Sequence, residues 1–191
     1  MKLLNPTKFI EQYEGPTPIR QFRHLPANHQ LAIIWYMYCN GDAWVPPYDD
    51  AVGFQSDWKK MEIDTKREIR THLQEWINQY GNTEWGMAEI PSEVLTDYIW
   101  RCLITHGTWS EEFDSWQEYH KWYVHDALIG SGKRHNMKDR WPCIWSLYHG
   151  YGCEDPIEDG WHRFHAYVRA KHSTIPVVYA WNLLDSVKPL R

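Results

Sequence analysis

The residues best suited to chemistry stand together in Glu158-Asp159-Gly160-Trp161-His162-Arg163. A glycine after two acids permits a sharp turn and lets a ligand approach the backbone. The residues that follow have a helical pattern, so the turn lies at a helix N-terminus, where unpaired N–H groups and the helix dipole favour an anion. Arg163 presents a planar fork that binds phosphate oxygens in pairs and stays charged. Its competing use is an ion pair with Glu158 or Asp159. His162 can donate to a phosphate or move a proton near neutral pH, or simply hold a structural hydrogen bond. Asp159 can cap the helix, hold a ribose hydroxyl or bind a magnesium ion that bridges phosphates. Glu158 is the alternative metal ligand or general base. Glu158, Asp159 and His162 are therefore the catalytic candidates, with Gly160, His162 and Arg163 for phosphate and Asp159 for a metal.

A second basic element is the loop Ile129-Gly-Ser-Gly-Lys-Arg-His-Asn136. It is not a Walker loop. That pattern requires Gly five residues before the Gly-Lys pair and Ser or Thr after it, and those positions hold Ala127 and Arg134. Lys133 and Arg134 remain as a basic lid for a phosphate, or as a solvated loop.

Asp-Gly-x-His-Arg-Phe, about ten residues of helix and then Thr174-Ile-Pro-Val-Val resembles the phosphate-binding half of the ParB/sulfiredoxin superfamily. Trp141-Pro-Cys-Ile-Trp-Ser-Leu147 occupies the place of that family's preceding strand. The resemblance spans residues 140 to 181, under a quarter of the chain. It implies a strand–turn–helix–strand unit with a phosphate corner at Gly160, His162 and Arg163, and a nucleotide (ATP, ADP or CTP) with Mg2+ as ligand. Relatives in that superfamily include nucleotide hydrolases, small-molecule kinases and nucleases, so phosphoryl transfer, nucleotide hydrolysis and phosphodiester cleavage are all implied activities. Two departures limit what carries over. Trp161 stands where sulfiredoxins have a reactive Cys, and the Glu of the chromosome-partitioning Gly-Glu-Arg-Arg is missing.

The elements around this unit read mainly as helices. Ala27 to Cys39 carries Leu31, Ile34, Trp35 and Tyr38 on one face, broadened by Ile33 and Met37. Asp64 to Tyr80 places Ile69, Leu73, Trp76, Ile77 and Tyr80 at helical spacing, and Gly81 stops it. After a turn at Asn82 to Met87, Pro91 opens a helix to Thr105 with Val94, Leu95, Tyr98, Ile99, Cys102 and Leu103 inward. Ser110 caps a helix over Glu111 to Tyr123, whose Phe113, Trp116, Tyr119 and Tyr123 form an aromatic stripe. A core stripe and a base-stacking platform are its two readings. Strands are expected over Trp141 to Leu147 and Ile175 to Trp181. The helix Trp161 to Lys171 lies between them, the length of one crossover between parallel strands. The expected class is α+β (or α/β): a mainly helical portion, 1–125, packed on a small mixed sheet with the phosphate-binding portion, 126–191, the two forming one or two domains.

Composition narrows the partners. The chain has 191 residues, 13 Trp and a formal net charge of −5, with a mean hydropathy of −0.66. From Ser131 onward it holds nine Lys/Arg against six Asp/Glu, leaving 11 basic and 19 acidic residues before that point. The acidic first part argues against a plain duplex-DNA binder and permits a small-nucleotide site or a docking surface for a partner protein. Two further readings follow: a non-catalytic accessory or anti-defence protein that docks a partner through its acidic, Trp-rich half, and a DNA-associated regulator using its basic end. Cys39, Cys102, Cys143 and Cys153 lack Cys-x-x-Cys spacing and read as reduced thiols. No apolar run is long enough for a signal peptide or membrane span, so a cytoplasmic protein with no membrane contact is expected.

Overall fold

The computed structural model describes residues 3–13, 21–40, 59–64, 66–67, 69–71, 84–105, 112–129, 140–145 and 156–180. Within these the chain forms an α+β fold with one four-stranded mixed sheet. The strands are β1 (Trp85–Pro91), β2 (Cys143–Trp145), β3 (Ile157–Asp159) and β4 (Thr174–Ala180), in the order β1-β4-β2-β3. β4 runs antiparallel to β1 and parallel to β2, and β2 runs antiparallel to β3. The expected parallel pair is present, with Cys143 opposite Val177 and Ile144 opposite Val178.

Helices among the described residues include α1 (Pro6–Glu11), α2 (Ala27–Asn40), α3 (Ser92–Thr105), α4 (Trp116–Tyr123) and α5 (Trp161–Arg169). A π-helical run, Val124–Ile129, continues α4. Two apolar clusters lie on opposite faces of the sheet. Ile175, Val177 and Tyr179 of β4 pack with α1, α3, α4 and α5. Val178 and Ala180 pack with α2, Ile69 and Trp85. This alternation is the two-residue period of a strand. Because both faces are covered, β4 reads as a continuous apolar run.

α3 buries Leu95, Tyr98, Ile99, Cys102 and Leu103, the set its helical spacing predicts, with Val94 half-buried against them. α2 buries Ile33 and Ile34 as expected, together with Ala32 and Tyr36. The aromatic stripe of α4 packs into the α3/α5 cluster, which is its core reading. Leu73, Trp76, Ile77 and Tyr80 lie outside the described residues.

Three expectations change. Trp85 to Met87 is not a turn but the start of β1, and Pro91 ends that strand while the helix begins at Ser92. Pro91 is tolerated because β1 is an edge strand. The cap of α4 is Ser115, whose side chain accepts from the Glu118 amide at 3.3 Å, with Glu118 reaching back to the Asp114 amide at 3.0 Å. That reciprocal arrangement is a near relative of the capping box. Finally, β1 lies before residue 125 and pairs along its whole length with β4, so the amino-terminal portion contributes a strand to the sheet as well as helices.

Candidate functional site

β3 feeds directly into α5 through Gly160, which has φ +102° and so adopts the left-handed conformation that favours glycine. It has no side chain with which to cap the helix. The first helical bond runs from the Phe164 amide to the Gly160 carbonyl at 2.8 Å. Behind the turn lies Cys143 of β2, whose thiol donates to the Gly160 carbonyl at 3.6 Å. Burial pushes that thiol up to about 12 against the opposing pull of Arg163, so it is protonated and unreactive.

Arg163 does not reach outward. It is only 4% exposed, and its guanidinium lies back over the turn: a Cβ on Gly160 would stand 2.9 Å from Nε and 3.0 Å from Nη2. Nη2 donates to Asp159 Oδ2, and the guanidinium carbon lies 5.9 Å from the centroid of the Trp141 ring. Nη1 is buried and has no hydrogen-bond partner. Of the two uses the sequence leaves open for Arg163, the ion pair with Asp159 is therefore formed, and one N–H face of the fork is left over. Trp141 is in turn fixed from α5 by the Tyr167 hydroxyl, which donates to its carbonyl at 2.9 Å.

Glu158 is held apart from this group. Adjacent strand residues point to opposite faces, and Ile157 packs on the α5 side of the sheet. Glu158 faces the other way and accepts a 2.6 Å hydrogen bond from the Tyr36 hydroxyl of α2. The structure thus brings Asp159, Gly160 and Arg163 together and directs Glu158 elsewhere. His162 is half-buried with its ring edge-on to Tyr123, at a centroid distance of 5.6 Å. Lys133 and Arg134 lie outside the described residues.

A metal does not fit Asp159 alone. Among the described residues no three His, Cys, Asp or Glu side chains are grouped to hold one, and Asp159 already commits Oδ2 to Arg163. A Mg2+ ion carried by phosphates needs fewer protein ligands, so it would enter only with its nucleotide.

The site also contains a contact that sequence reasoning missed, although His165 itself stood out beside His162 and Asp159 as a conceivable metal ligand. His165, two residues beyond Arg163, is completely buried and faces His120 of α4 with 2.8 Å between the two Nδ1 atoms. Its i+3 spacing from His162 was visible in the sequence. Its partner, 45 residues upstream, was not.

Gly160→Ala tests the turn. The new methyl meets both an unfavourable φ and the Arg163 side chain, and a loss of about 1–3 kcal/mol in urea unfolding is expected. An unchanged midpoint would mean that Arg163 swings away at no cost.

No protein-family model, curated protein or solved structure matches the chain. Among the described residues no helix is long and apolar enough to cross a membrane.

Proposed function

We propose that the protein binds a phosphate-bearing ligand, a nucleotide by class, at the turn between β3 and α5. The observation that carries this reading is the unpartnered Nη1 of buried Arg163. An unsatisfied buried donor costs about 1–3 kcal/mol, more when charged. A phosphate oxygen arriving at the turn would satisfy it and would also meet the first-turn amides of α5. Asp159 offsets part of the guanidinium charge, so the ligand must compete for the fork or share it. His162 lies on the same first turn. The geometry favours binding over phosphoryl transfer, hydrolysis or phosphodiester cleavage, because both candidate carboxylates are engaged: Asp159 with Arg163, Glu158 with Tyr36.

The closed ion pair also favours a second reading. If the turn is simply a packed corner, the protein acts without catalysis by docking another protein through its acidic, Trp-rich part. Thermal unfolding with inorganic phosphate, ATP, ADP and CTP, each with and without Mg2+, separates the two. A ligand at about 100 times its dissociation constant stabilises by about 2.7 kcal/mol. Arg163→Lys, which keeps the charge and removes the fork, should abolish that gain. If none of these ligands moves the midpoint, the binding proposal fails and the docking reading stands.

A further inference from the structure

One turn into α5, a second polar group is buried with no use in the proposed phosphate site. His165 is 0% exposed, and its ring is stacked on Tyr123 at 3.8 Å and 12° and on Trp116 at 5.4 Å and 12°. Trp116 also stacks on His120 at 5.4 Å. Facing Nδ1 atoms 2.8 Å apart require one hydrogen between them. His165 Nε2 is buried with no hydrogen-bond partner.

Counting hydrogens leaves two neutral arrangements, which differ in the Nε2 that carries the second N–H. Two neutral imidazoles carry two N–H hydrogens. One is shared between the Nδ1 atoms, and the other sits on Nε2 of whichever ring accepts; water at half-exposed His120 favours the form in which that ring carries it, leaving His165 Nε2 as a bare lone pair. A third hydrogen changes this whichever ring receives it. The shared position is already filled, so both Nε2 atoms must then be protonated, and His165 acquires a buried N–H with no acceptor. A fourth hydrogen would set two N–H groups against each other.

We propose that the His120–His165 pair is an acid-sensitive latch, which holds α4 and its π-helical continuation on α5 while neutral and releases them when it takes up a proton. Two flanking groups oppose that proton. From α5, Arg169 acts on His120 and His162 acts on His165. From α4, the flanking groups are the phenols of Tyr119 and Tyr123, the latter raised by burial. Both imidazoles are lowered from 6.5, chiefly by burial, His165 by far the more. The sign follows. A released imidazole takes its proton near 6.5, whereas the latched one resists it, so the closed form is fully stable above about 6.5 and weakens as pH falls below it. Release would expose the aromatic stripe of Trp116, Tyr119 and Tyr123.

Amide hydrogen exchange on the full chain at pH 7.5 and 5.5, corrected for the intrinsic pH dependence of exchange, tests this. Protection over residues 116–129 should fall roughly tenfold at pH 5.5 while that of β4 holds. In His165→Phe, which keeps the stacked ring and cannot titrate, the loss should vanish. Unchanged protection at pH 5.5, or an equal loss in β4, overturns the proposal, as does an undiminished acid response in the variant. Should the variant fail to fold, nitrogen NMR titration of the wild-type imidazoles decides: both midpoints should lie below 6.5, and a midpoint for either ring at or above that value overturns it.

Discussion

Asp159→Ala should destabilise the protein by about 3–5 kcal/mol, the usual cost of removing one member of a buried ion pair. Arg163, with its side chain 5% exposed, would then lose the carboxylate it pairs with, while Nη1 is already unpartnered. Asp159 is itself 27% exposed, which places the expected cost toward the lower end of that range. For a domain whose whole stability is on the order of 5–15 kcal/mol, such a loss is readily seen as a shift in urea midpoint at constant slope. The cost comes from the stranded charge more than from lost attraction. Asp159→Leu combined with Arg163→Met should therefore regain most of it, and the double-mutant cycle measures the coupling. A cost below about 1 kcal/mol for Asp159→Ala would place the pair in the class of solvated surface bridges. The same substitution bears on function. With the competing carboxylate gone, inorganic phosphate should stabilise Asp159→Ala more than wild type, whereas a packed corner with no ligand predicts no such gain.

Gly86→Ala is the second large effect expected. Gly86 stands directly opposite Tyr179 in the β1–β4 register, and the tyrosine ring lies across it. An ideal Cβ on Gly86 would stand 2.2 Å from the Tyr179 ring carbon bearing the hydroxyl and 2.4 Å from the hydroxyl oxygen. Tyr179 is fully buried, so its ring must displace neighbours or the strands must part. Overpacking of this kind costs about 1–3 kcal/mol, and Gly86→Val should exceed Gly86→Ala. The cause is separable. In a Tyr179→Leu background the ring is gone, and Gly86→Ala should cost less than about 1 kcal/mol by urea unfolding. An equal cost in both backgrounds would show that backbone propensity, not the ring, fixes glycine there.

The two regions differ in how far the sequence exposes them. The inward face of α3 and the run Gly160–α5–β4 were legible because each follows from local rules: helical spacing, a glycine where the chain turns, and branched residues in a short apolar run. The length of the crossover allowed the parallel partnership of β2 and β4 that the sheet contains. β1 was not legible. Trp85-Gly-Met-Ala-Glu-Ile-Pro has few strong strand formers, and its Gly and Pro resemble punctuation. It is a strand because β4 offers seven matched partners, nearly ninety residues away in sequence.

At the site the division is sharper. Residue order alone determined that Asp159, Gly160, His162 and Arg163 share one turn at a helix start, because consecutive residues cannot be separated. It also fixed the opposite facing of Glu158 and Asp159, once Ile157–Asp159 is a strand. Which way the Arg163 guanidinium turns was decided only by tertiary structure. A long side chain chooses among solvent, carboxylate and ring by what surrounds it, and here β2 and the Trp141 ring close over it. The meetings of Tyr36 with Glu158 and of His120 with His165 likewise join residues 122 and 45 positions apart. Local spacing carries no information about such contacts, since they exist only after the sheet and helices have packed.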